Sequence, residues 1–389
     1  MNVSIFKNDC CGCGVCSSIC PSKAITMQLN QKGFYYPHVD DTKCSNCSHC
    51  VSQCSFNSTE NKSNSLLSAW AVKHTSSDVR QASRSGGVFT SISDYVLEQN
   101  GIVYGCELIE NDKALHTRAT TAQERNKFRG SKYIQSATYH IYESVKNDLL
   151  SGYWVLFSGT PCQVDALVNY CKNVNQSKLI TVDIVCHGVP SSLIWSDYLE
   201  YIMKKFSKTI KSVEFRDKIT FGWSAHEETF TFTDDTKVSS HIFRQLFYNH
   251  LILRESCFIC PYKKLNRVGD ISIADCWGIT NNYPEFDDNK GVSLVLVNTA
   301  KGTAIFNNLN SIDSISVDIN KLMQPCLEYN WEIPDNYNEF WSYYSKHGFQ
   351  KVIDKYIYNK PPRIKELINR LNIKTRNLLL CFFKFFRSK

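Results

Sequence analysis

Several features of common protein classes are missing from this sequence of 389 residues. The amino terminus, MNVSIFKNDC, has no apolar run of the kind that a signal peptide needs, and no G-x-G-x-x-G turn follows a strand-like run. Residues 363–389 contain one acidic side chain against eight basic ones, a net +7 that equals the formal charge of the whole chain. The rest is near neutral, which argues against a nucleic-acid-binding body.

The basic tail has two interpretations, and the sequence is equally consistent with both. Its apolar run Leu378 to Phe383, followed by Phe385 and Phe386, is too short to cross a bilayer. A basic, aromatic-rich amphipathic segment can lie on a membrane, which would put the protein at the inner membrane face. Alternatively, the tail is a terminal helix that packs on its own domain or on a partner subunit.

Cysteine is abundant and unevenly placed. Nine of the 18 cysteines fall between residues 10 and 54. A disulfide framework is typical of short secreted proteins, whereas this chain is long and shows no secretion signal. We therefore expect a reducing cytoplasm, with the thiols available to metal.

The strongest pattern is a repeated four-cysteine motif in residues 1–58. The spacing C-x2-C-x2-C-x3-C occurs twice, from Cys10 and again from Cys44. It resembles a bacterial two-cluster ferredoxin, in which three close cysteines hold one [4Fe–4S] cluster and the distant fourth crosses to the other. We expect two such clusters, the first held by Cys10, Cys13, Cys16 and Cys54 and the second by Cys44, Cys47, Cys50 and Cys20.

Zinc sites and disulfides are alternatives for these cysteines. Zinc needs only two C-x2-C pairs and does not require a duplicated four-cysteine run, so iron–sulfur clusters are favoured. Cys11 lies inside the first motif and is interpreted as a bystander.

The remaining chain predicts an α+β protein. Strand-like runs such as GIVYGCELI, YWVLF, LITVDIV, DISIAD and VSLVLVN alternate with helical patterns near 87–98, 162–171, 192–206 and 240–253. We expect a ferredoxin-like domain over residues 1–58, a mixed α/β domain over 66–325 and a helical carboxy-terminal region over 326–389.

Four further cysteines stand out in the mixed α/β domain. Cys162 and Cys186 each follow a strand-like run, and Cys257 and Cys260 form another C-x2-C. Strand ends gather at one edge of such domains, so the four can converge on one metal. Buried apolar cysteines, a catalytic Cys162 and a Cys186–His187 dyad remain alternatives. The other cysteines are assigned to the interior: Cys106, Cys171, Cys276, Cys326 and Cys381.

Eight blocks together resemble the coenzyme F420 hydrogenase/dehydrogenase beta-subunit family, in colinear order over residues 1 to about 300. They are SRSGGVFT (83–90), GIVYG (101–105), FRGSKYIQS (128–136), VLFSGTPCQV (155–164), VCHGVPS (185–191), FRDK with GW (215–223), LRESCFICPY with RVGDISIADCWG (253–278) and KGVSLVLVN (290–298). The resemblance implies an iron–sulfur flavoprotein with FAD bound in the mixed α/β domain and a third [4Fe–4S] cluster there. From their blocks we assign that cluster to Cys162, Cys186, Cys257 and Cys260. Cys276 stands where the family commonly has an aromatic residue and is an alternative ligand.

Flavin contacts follow from the same blocks. Ser85, Gly86 and Gly87 open a helix whose free amide groups can hold a phosphate or a flavin carbonyl, although a plain helix-initiating turn has the same sequence. Arg84, Arg129 and Lys132 are candidates for the pyrophosphate or for the negative charge of a reduced flavin. Gln163 and His187 adjoin cluster cysteines and are candidate hydrogen-bond donors, or are structural.

These expectations describe an iron–sulfur flavoprotein oxidoreductase without an assigned catalytic residue. It would exchange electrons with a ferredoxin or another redox protein and act on a small-molecule substrate or coenzyme F420; nucleic acid is not an expected partner. A non-catalytic electron-transfer subunit and a zinc-bound interaction module are the alternatives.

Overall fold

A computed structural model describes residues 1–57 and 63–358. The polar linker at 58–62, the basic tail and Cys381 lie outside the described residues, and so do both interpretations of the tail. The chain divides into two compact units, Met1–Tyr337 and a second that begins at Asn338. The domain boundaries expected at residues 58, 66 and 325 stay predictions.

Fourteen strands occur in the described residues. They are β1 (Ile25–Leu29), β2 (Tyr35–Val39), β3 (Ser68–His74), β4 (Ile102–Ile109), β5 (Lys113–Ala119), β6 (Ser136–Ala137), β7 (Val155–Gly159), β8 (Leu179–Ile184), β9 (Ile210–Glu214), β10 (Glu228–Phe232), β11 (Lys237–Ser240), β12 (Ile271–Asp275), β13 (Ser293–Val297) and β14 (Ile312–Ser316).

The α-helices of the same residues number thirteen. They are α1 (Val15–Ile19), α2 (His49–Ser52), α3 (Ser77–Ala82), α4 (Val88–Leu97), α5 (Ala122–Asn126), α6 (Tyr142–Leu150), α7 (Pro161–Tyr170), α8 (Ser192–Phe206), α9 (Lys218–Phe221), α10 (Ile242–Tyr248), α11 (Ile279–Asn282), α12 (Ala300–Phe306) and α13 (Tyr337–Ile353).

The amino-terminal segment is a hairpin with two short helices. Strands β1 and β2 pair antiparallel, with Ile25 opposite Val39. Helix α1 follows Gly14 and α2 follows Ser48, both with left-handed backbones at φ 76° and 63°. Each helix therefore starts inside one cysteine motif.

A nine-stranded mixed sheet organises the first unit, in the order β14-β3-β13-β12-β8-β7-β4-β5-β6. Its centre is parallel: β12, β8, β7 and β4 run the same way. Both faces are covered by apolar side chains, for example Val88, Ile92 and Val96 of α4 on one side. Because parallel strands end together, the residues after β7, β8 and β12 meet at one edge.

A three-stranded antiparallel sheet, β11-β10-β9, completes the first unit. In the second unit, α13 is interrupted at Gly348, whose φ of 74° is outside the helical region, and a π-helical turn follows at Asp354–Tyr358. No helix in the described part of the chain is both long and apolar enough to cross a bilayer.

The architecture confirms the mixed α/β prediction and the helical carboxy-terminal region as far as residue 358. Three of the four expected helices agree to within a residue or two, but α10 ends at Tyr248 instead of continuing to 253. His250 has a positive φ of 59°, and Leu253 then forms a bridge with Pro190. The chain leaves the helix there to reach the sheet edge.

Candidate functional site

The cysteines of the first expected set lie together. Burial raises the pKa of the Cys10 thiol to about 11, and the neighbouring thiolates of Cys13 and Cys54 also raise it. The pKa of Cys16 is raised by burial and by Cys13, Cys10 and Cys54. Cys54 therefore crosses to the first motif, as the ferredoxin spacing predicts.

The second expected set lines a separate small cavity near the surface. The set consists of Cys20, Cys44, Cys47 and Cys50, and Met1, Asn2 and His49 line the same cavity. Cys47 is exposed. Cys20 is thus the crossing member of this set, so the structure groups both halves of the repeat in the expected way.

The third expected set also lines one cavity, of about 30 Å³. Cys162 enters it from the first turn of α7, Cys186 from the loop after β8, and Cys257 and Cys260 from a 3₁₀ turn and the residue after it. Burial raises the pKa of Cys186 and Cys257 and raises that of Cys260 to about 12. Thiols kept neutral by burial become thiolates when they bind metal, so this grouping suits a cluster.

A buried ammonium faces this third set. Lys263 lines the same cavity and is 7% exposed, and among the described residues its Nζ has no hydrogen-bond partner. Burial lowers the pKa of Lys263, whereas negative charge on the nearby Cys326, Cys257, Cys186 or Cys260 would raise it. A buried cation without an acidic partner is costly, and a negatively charged cluster would supply the missing charge.

Cys276 and Cys11 lie in different surroundings. Cys276 packs among apolar side chains such as Ile279 and Leu294, apart from the residues that line the third cavity. Cys11, interpreted from the sequence as a bystander, is buried and lines that cavity. Hydrogen bonding with Cys11 is the main cause that lowers the pKa of both Cys13 and Cys162. Cys11 therefore stands between the first and third sets.

A cavity of about 330 Å³ opens at the carboxyl ends of the parallel strands. Cys13, Cys162 and Cys186 form part of its wall, so it adjoins the first and third cysteine sets. Seven of the eight residues expected to contact flavin line it: Arg84, Ser85, Gly87, Arg129, Lys132, Gln163 and His187. Its size is in the range of small-molecule and cofactor sites.

Arg84 is the lining residue with unused hydrogen-bonding capacity. Its side chain is 8% exposed, and its buried Nε and Nη1 have no hydrogen-bond partner among the described residues. Nη2 donates to the carbonyl oxygens of Trp223 and Ala225. Asp275 is 4.0 Å from Nε, but Asp275 accepts a 2.6 Å hydrogen bond from Arg216. Burial, with the charge of Arg216, lowers the pKa of Arg84 to about 10.

The other two predicted cations are more fully engaged. Arg129 donates from Nε to Thr90 Oγ1 at 3.1 Å. Lys132 Nζ donates to the carbonyl oxygens of Lys127 and Arg129, and burial lowers the pKa of its ammonium group. Lys132 therefore fixes the loop 127–132 as well as adding charge to the cavity.

Two parts of the chain match known protein families. Residues 153–320 match the family described as the C terminus of the coenzyme F420 hydrogenase/dehydrogenase beta subunit, and residues 9–58 match the 4Fe-4S dicluster domain. Residues 153–320 belong to the beta-subunit family. The two resemblances seen in the sequence are thereby confirmed, and the chain joins an iron–sulfur dicluster domain to a domain of an oxidoreductase family. No curated protein matches the sequence.

Among solved structures, the chain is similar to a chain of the F420-reducing [NiFe] hydrogenase complex from Methanosarcina barkeri. The identity is 17%, the TM-score is 0.48, and the match covers 76% of this chain and 94% of that chain.

The eighth expected flavin contact, Gly86, does not line the large cavity. Its N–H donates to Ser293 Oγ at 3.0 Å, and a Cβ at this position would lie 2.2 Å from the carbonyl oxygen of Val72. Gly86 therefore allows the turn before α4 to press against β3 and β13.

Gln163 and His187 are held by their neighbours. Gln163 accepts from Thr160 N–H and donates to Ser136, so it closes the first turn of α7 against β6. His187 Nε2 is 3.1 Å from His250 Nε2, and burial lowers the pKa of the His187 imidazole to about 3. A neutral His187 can therefore present only one N–H donor.

The amino-terminal cysteine segment is fastened to the rest of the first unit through its backbone carbonyls. Arg254, which is fully buried, donates to the carbonyl oxygens of Cys10 and Tyr35. Gln135 Nε2 donates to the Cys11 carbonyl oxygen, and Tyr142 OH donates to that of Cys13. Sequence reasoning missed Arg254 and Lys263. The available signal was their position, one on each side of the Cys257–Cys260 pair.

Proposed function

We propose that this chain is an iron–sulfur flavoprotein oxidoreductase. It passes single electrons between three [4Fe–4S] clusters and FAD, and exchanges electron pairs with a small-molecule substrate, such as coenzyme F420 or an organic acceptor. Reduction of the substrate is the favoured direction. The observation that carries the proposal is a cofactor-sized cavity whose wall contains cysteines of two of the three cysteine sets.

The order of the sites supports this assignment. The second set is near the surface, where a ferredoxin or another redox protein can approach, and its Cys47 is exposed. The first set shares Cys13 with the wall of the large cavity. Cys11 contacts both Cys13 and Cys162, so the first and third sets adjoin. The first set, the third set and the large cavity therefore adjoin one another, as a route for single electrons requires.

The residues at the large cavity fit FAD. Bound FAD would exchange electron pairs with substrate and single electrons with the clusters. Arg84 has two unpartnered buried donors and a positive charge, which suit a pyrophosphate or the negative charge of a reduced isoalloxazine. Ser85 and Gly87 lie at the start of α4, where backbone N–H groups without a helical partner can donate to an anion. Tyr133 and Phe247 add aromatic surface.

The test is the cofactor content of protein purified without oxygen. We expect about twelve iron atoms and one FAD per chain, no stoichiometric zinc, and bleaching of the visible spectrum by dithionite. Eight irons without flavin would contradict the proposal and leave an electron-transfer subunit with the dicluster alone. Stoichiometric zinc without iron would instead support a zinc-bound interaction module.

A further inference from the structure

Two buried cations without acidic partners, Arg254 and Lys263, flank the Cys257–Cys260 pair. Neither has a role in the function proposed above. Lys263 lines the cavity of Cys162, Cys186, Cys257 and Cys260, and its Nζ has no hydrogen-bond partner in the described residues. Arg254 is fully buried three residues before Cys257. Neither takes part in an ion pair within residues 1–57 and 63–358.

The surroundings of Lys263 leave its charge uncompensated. Its Nζ lies 4.8 Å from the centre of the Trp331 ring. His187 and His250 also pack on the Trp331 ring, and neither bears a carboxylate that could pair with the ammonium. Arg267 lines the same cavity, but its charge is paired with Asp183.

Arg254 adds a second fixed charge between the first and third sets. Its hydrogen bonds go to neutral groups, the carbonyl oxygens of Cys10 and Tyr35 and the side-chain oxygen of Gln135. Its Nε donates to the Cys10 carbonyl at 2.7 Å, and its own carbonyl accepts from Cys257 N–H at 2.9 Å, so this residue contacts both sets. An anionic cluster beside Arg254 would offset the cost of burying this charge.

We propose that Lys263, supported by Arg254, is the counter-charge of the third cluster and raises its reduction potential. This inference rests on the proposed function, since it requires a cluster at the third set. One-electron reduction adds a negative charge to a [4Fe–4S] cluster, and a fixed cation in a dry site favours that state. Lys263 thereby makes the third set the favoured acceptor for an electron given up by the reduced first cluster.

The effect of Lys263 on the reduction potential can be separated from an effect on cluster binding, because substituting Lys263 leaves the four proposed cysteine ligands in place. The second set provides an internal reference, since it lines a different cavity that contains neither Lys263 nor Arg254. Removing the charge of Lys263 should therefore shift the midpoint potential of the third cluster and leave that of the second cluster unchanged.

The experiment compares wild type with Lys263→Gln, Lys263→Arg and the adjacent control Lys264→Gln. Iron per chain and the midpoint potential of each cluster are measured by dithionite titration followed by electron paramagnetic resonance. Cys257→Ser identifies the signal of the third cluster. We expect Lys263→Gln to keep its iron and to shift the third midpoint to a more negative potential. Lys263→Arg and Lys264→Gln should stay close to wild type.

An unchanged third midpoint in iron-replete Lys263→Gln would overturn the inference while leaving the proposed function intact. If Lys263→Gln loses four irons and Lys263→Arg retains them, the charge is needed to hold the cluster, which supports the inference. Loss of iron in both variants would show that shape and not charge matters, and would overturn it. A wild-type chain with only eight irons would overturn the inference together with the third cluster of the proposed function.

Discussion

Arg254 donates a 2.7 Å hydrogen bond from Nε to the carbonyl oxygen of Cys10. The same guanidinium reaches the Tyr35 carbonyl oxygen at 2.8 Å with Nη2. The Arg254 side chain thus holds the loop at Cys10 and strand β2 together. The planar fork of arginine makes this double contact, and the single ammonium of lysine cannot reproduce it.

Arg254→Lys should loosen this attachment while keeping the positive charge. Two buried carbonyl oxygens lose their donors, at about 1–3 kcal/mol each. We expect faster hydrogen exchange in residues 10–54 and an unchanged third midpoint potential. Arg118→Lys, at a half-exposed ion pair with Asp148, is the matched control and should leave exchange unaltered. Equal exchange in Arg254→Lys and wild type would show that other contacts hold the segment.

Cys257→Ser should remove about a third of the iron and leave the spectroscopic signals of the dicluster segment, because one of three proposed four-iron sites loses a ligand. Cys276→Ser is the control, since Cys276 lies in the apolar interior apart from the third cavity. Retention of all the iron in Cys257→Ser, with loss in Cys276→Ser, would transfer the ligand role to Cys276.

Arg84→Met should weaken FAD binding by about tenfold to a hundredfold, the effect expected for lost hydrogen bonds to a charged group. The side chain keeps its bulk but loses the two unpartnered donors and the charge. Fluorescence titration of flavin-stripped protein measures the affinity. Arg125→Met provides a comparison, because Arg125 is buried nearby but bonds to Thr90, Ser93 and Asp94. Equal FAD affinity in Arg84→Met and wild type would show that Arg84 does not contribute to flavin binding.

Glu228 predicts a pH-dependent stability. Its carboxyl group is fully buried in β10, and burial raises its pKa from the usual 4.5 to about 8. The folded state then binds more protons than the unfolded state between these values, so this contribution to stability falls as pH rises through 8. Wild type should melt at a lower temperature at pH 9 than at pH 6. Glu228→Gln, which keeps an oxygen to accept from Arg244 N–H, should show a smaller difference.

The sequence was informative where the signal is local. Cysteine spacing grouped both ferredoxin sets, and apolar runs located β4, β7, β8, β12 and β13. It did not reveal β3 or the three-stranded sheet, whose strands carry polar residues such as Lys73 and Thr229 among the apolar ones. Contacts between distant residues were also hidden. The sequence around Cys11 does not predict its contact with Cys162. The burial of Lys263 depends on packing against Trp331, which is 68 positions away in the sequence.

Helix α7 has Cys162 in its first turn. Further along, the same helix holds the residues on either side of Cys54, the cysteine that crosses to the first set. The carbonyl oxygen of Asp165 accepts from Ser55 Oγ, and Asn169 Nδ2 donates to the carbonyl oxygen of Gln53. Cys54, between those two anchors, belongs to the first set. In the proposed electron route, a single helix therefore fixes the distance between the first and third sets, and any partner that moved α7 would move one proposed ligand of each set with it.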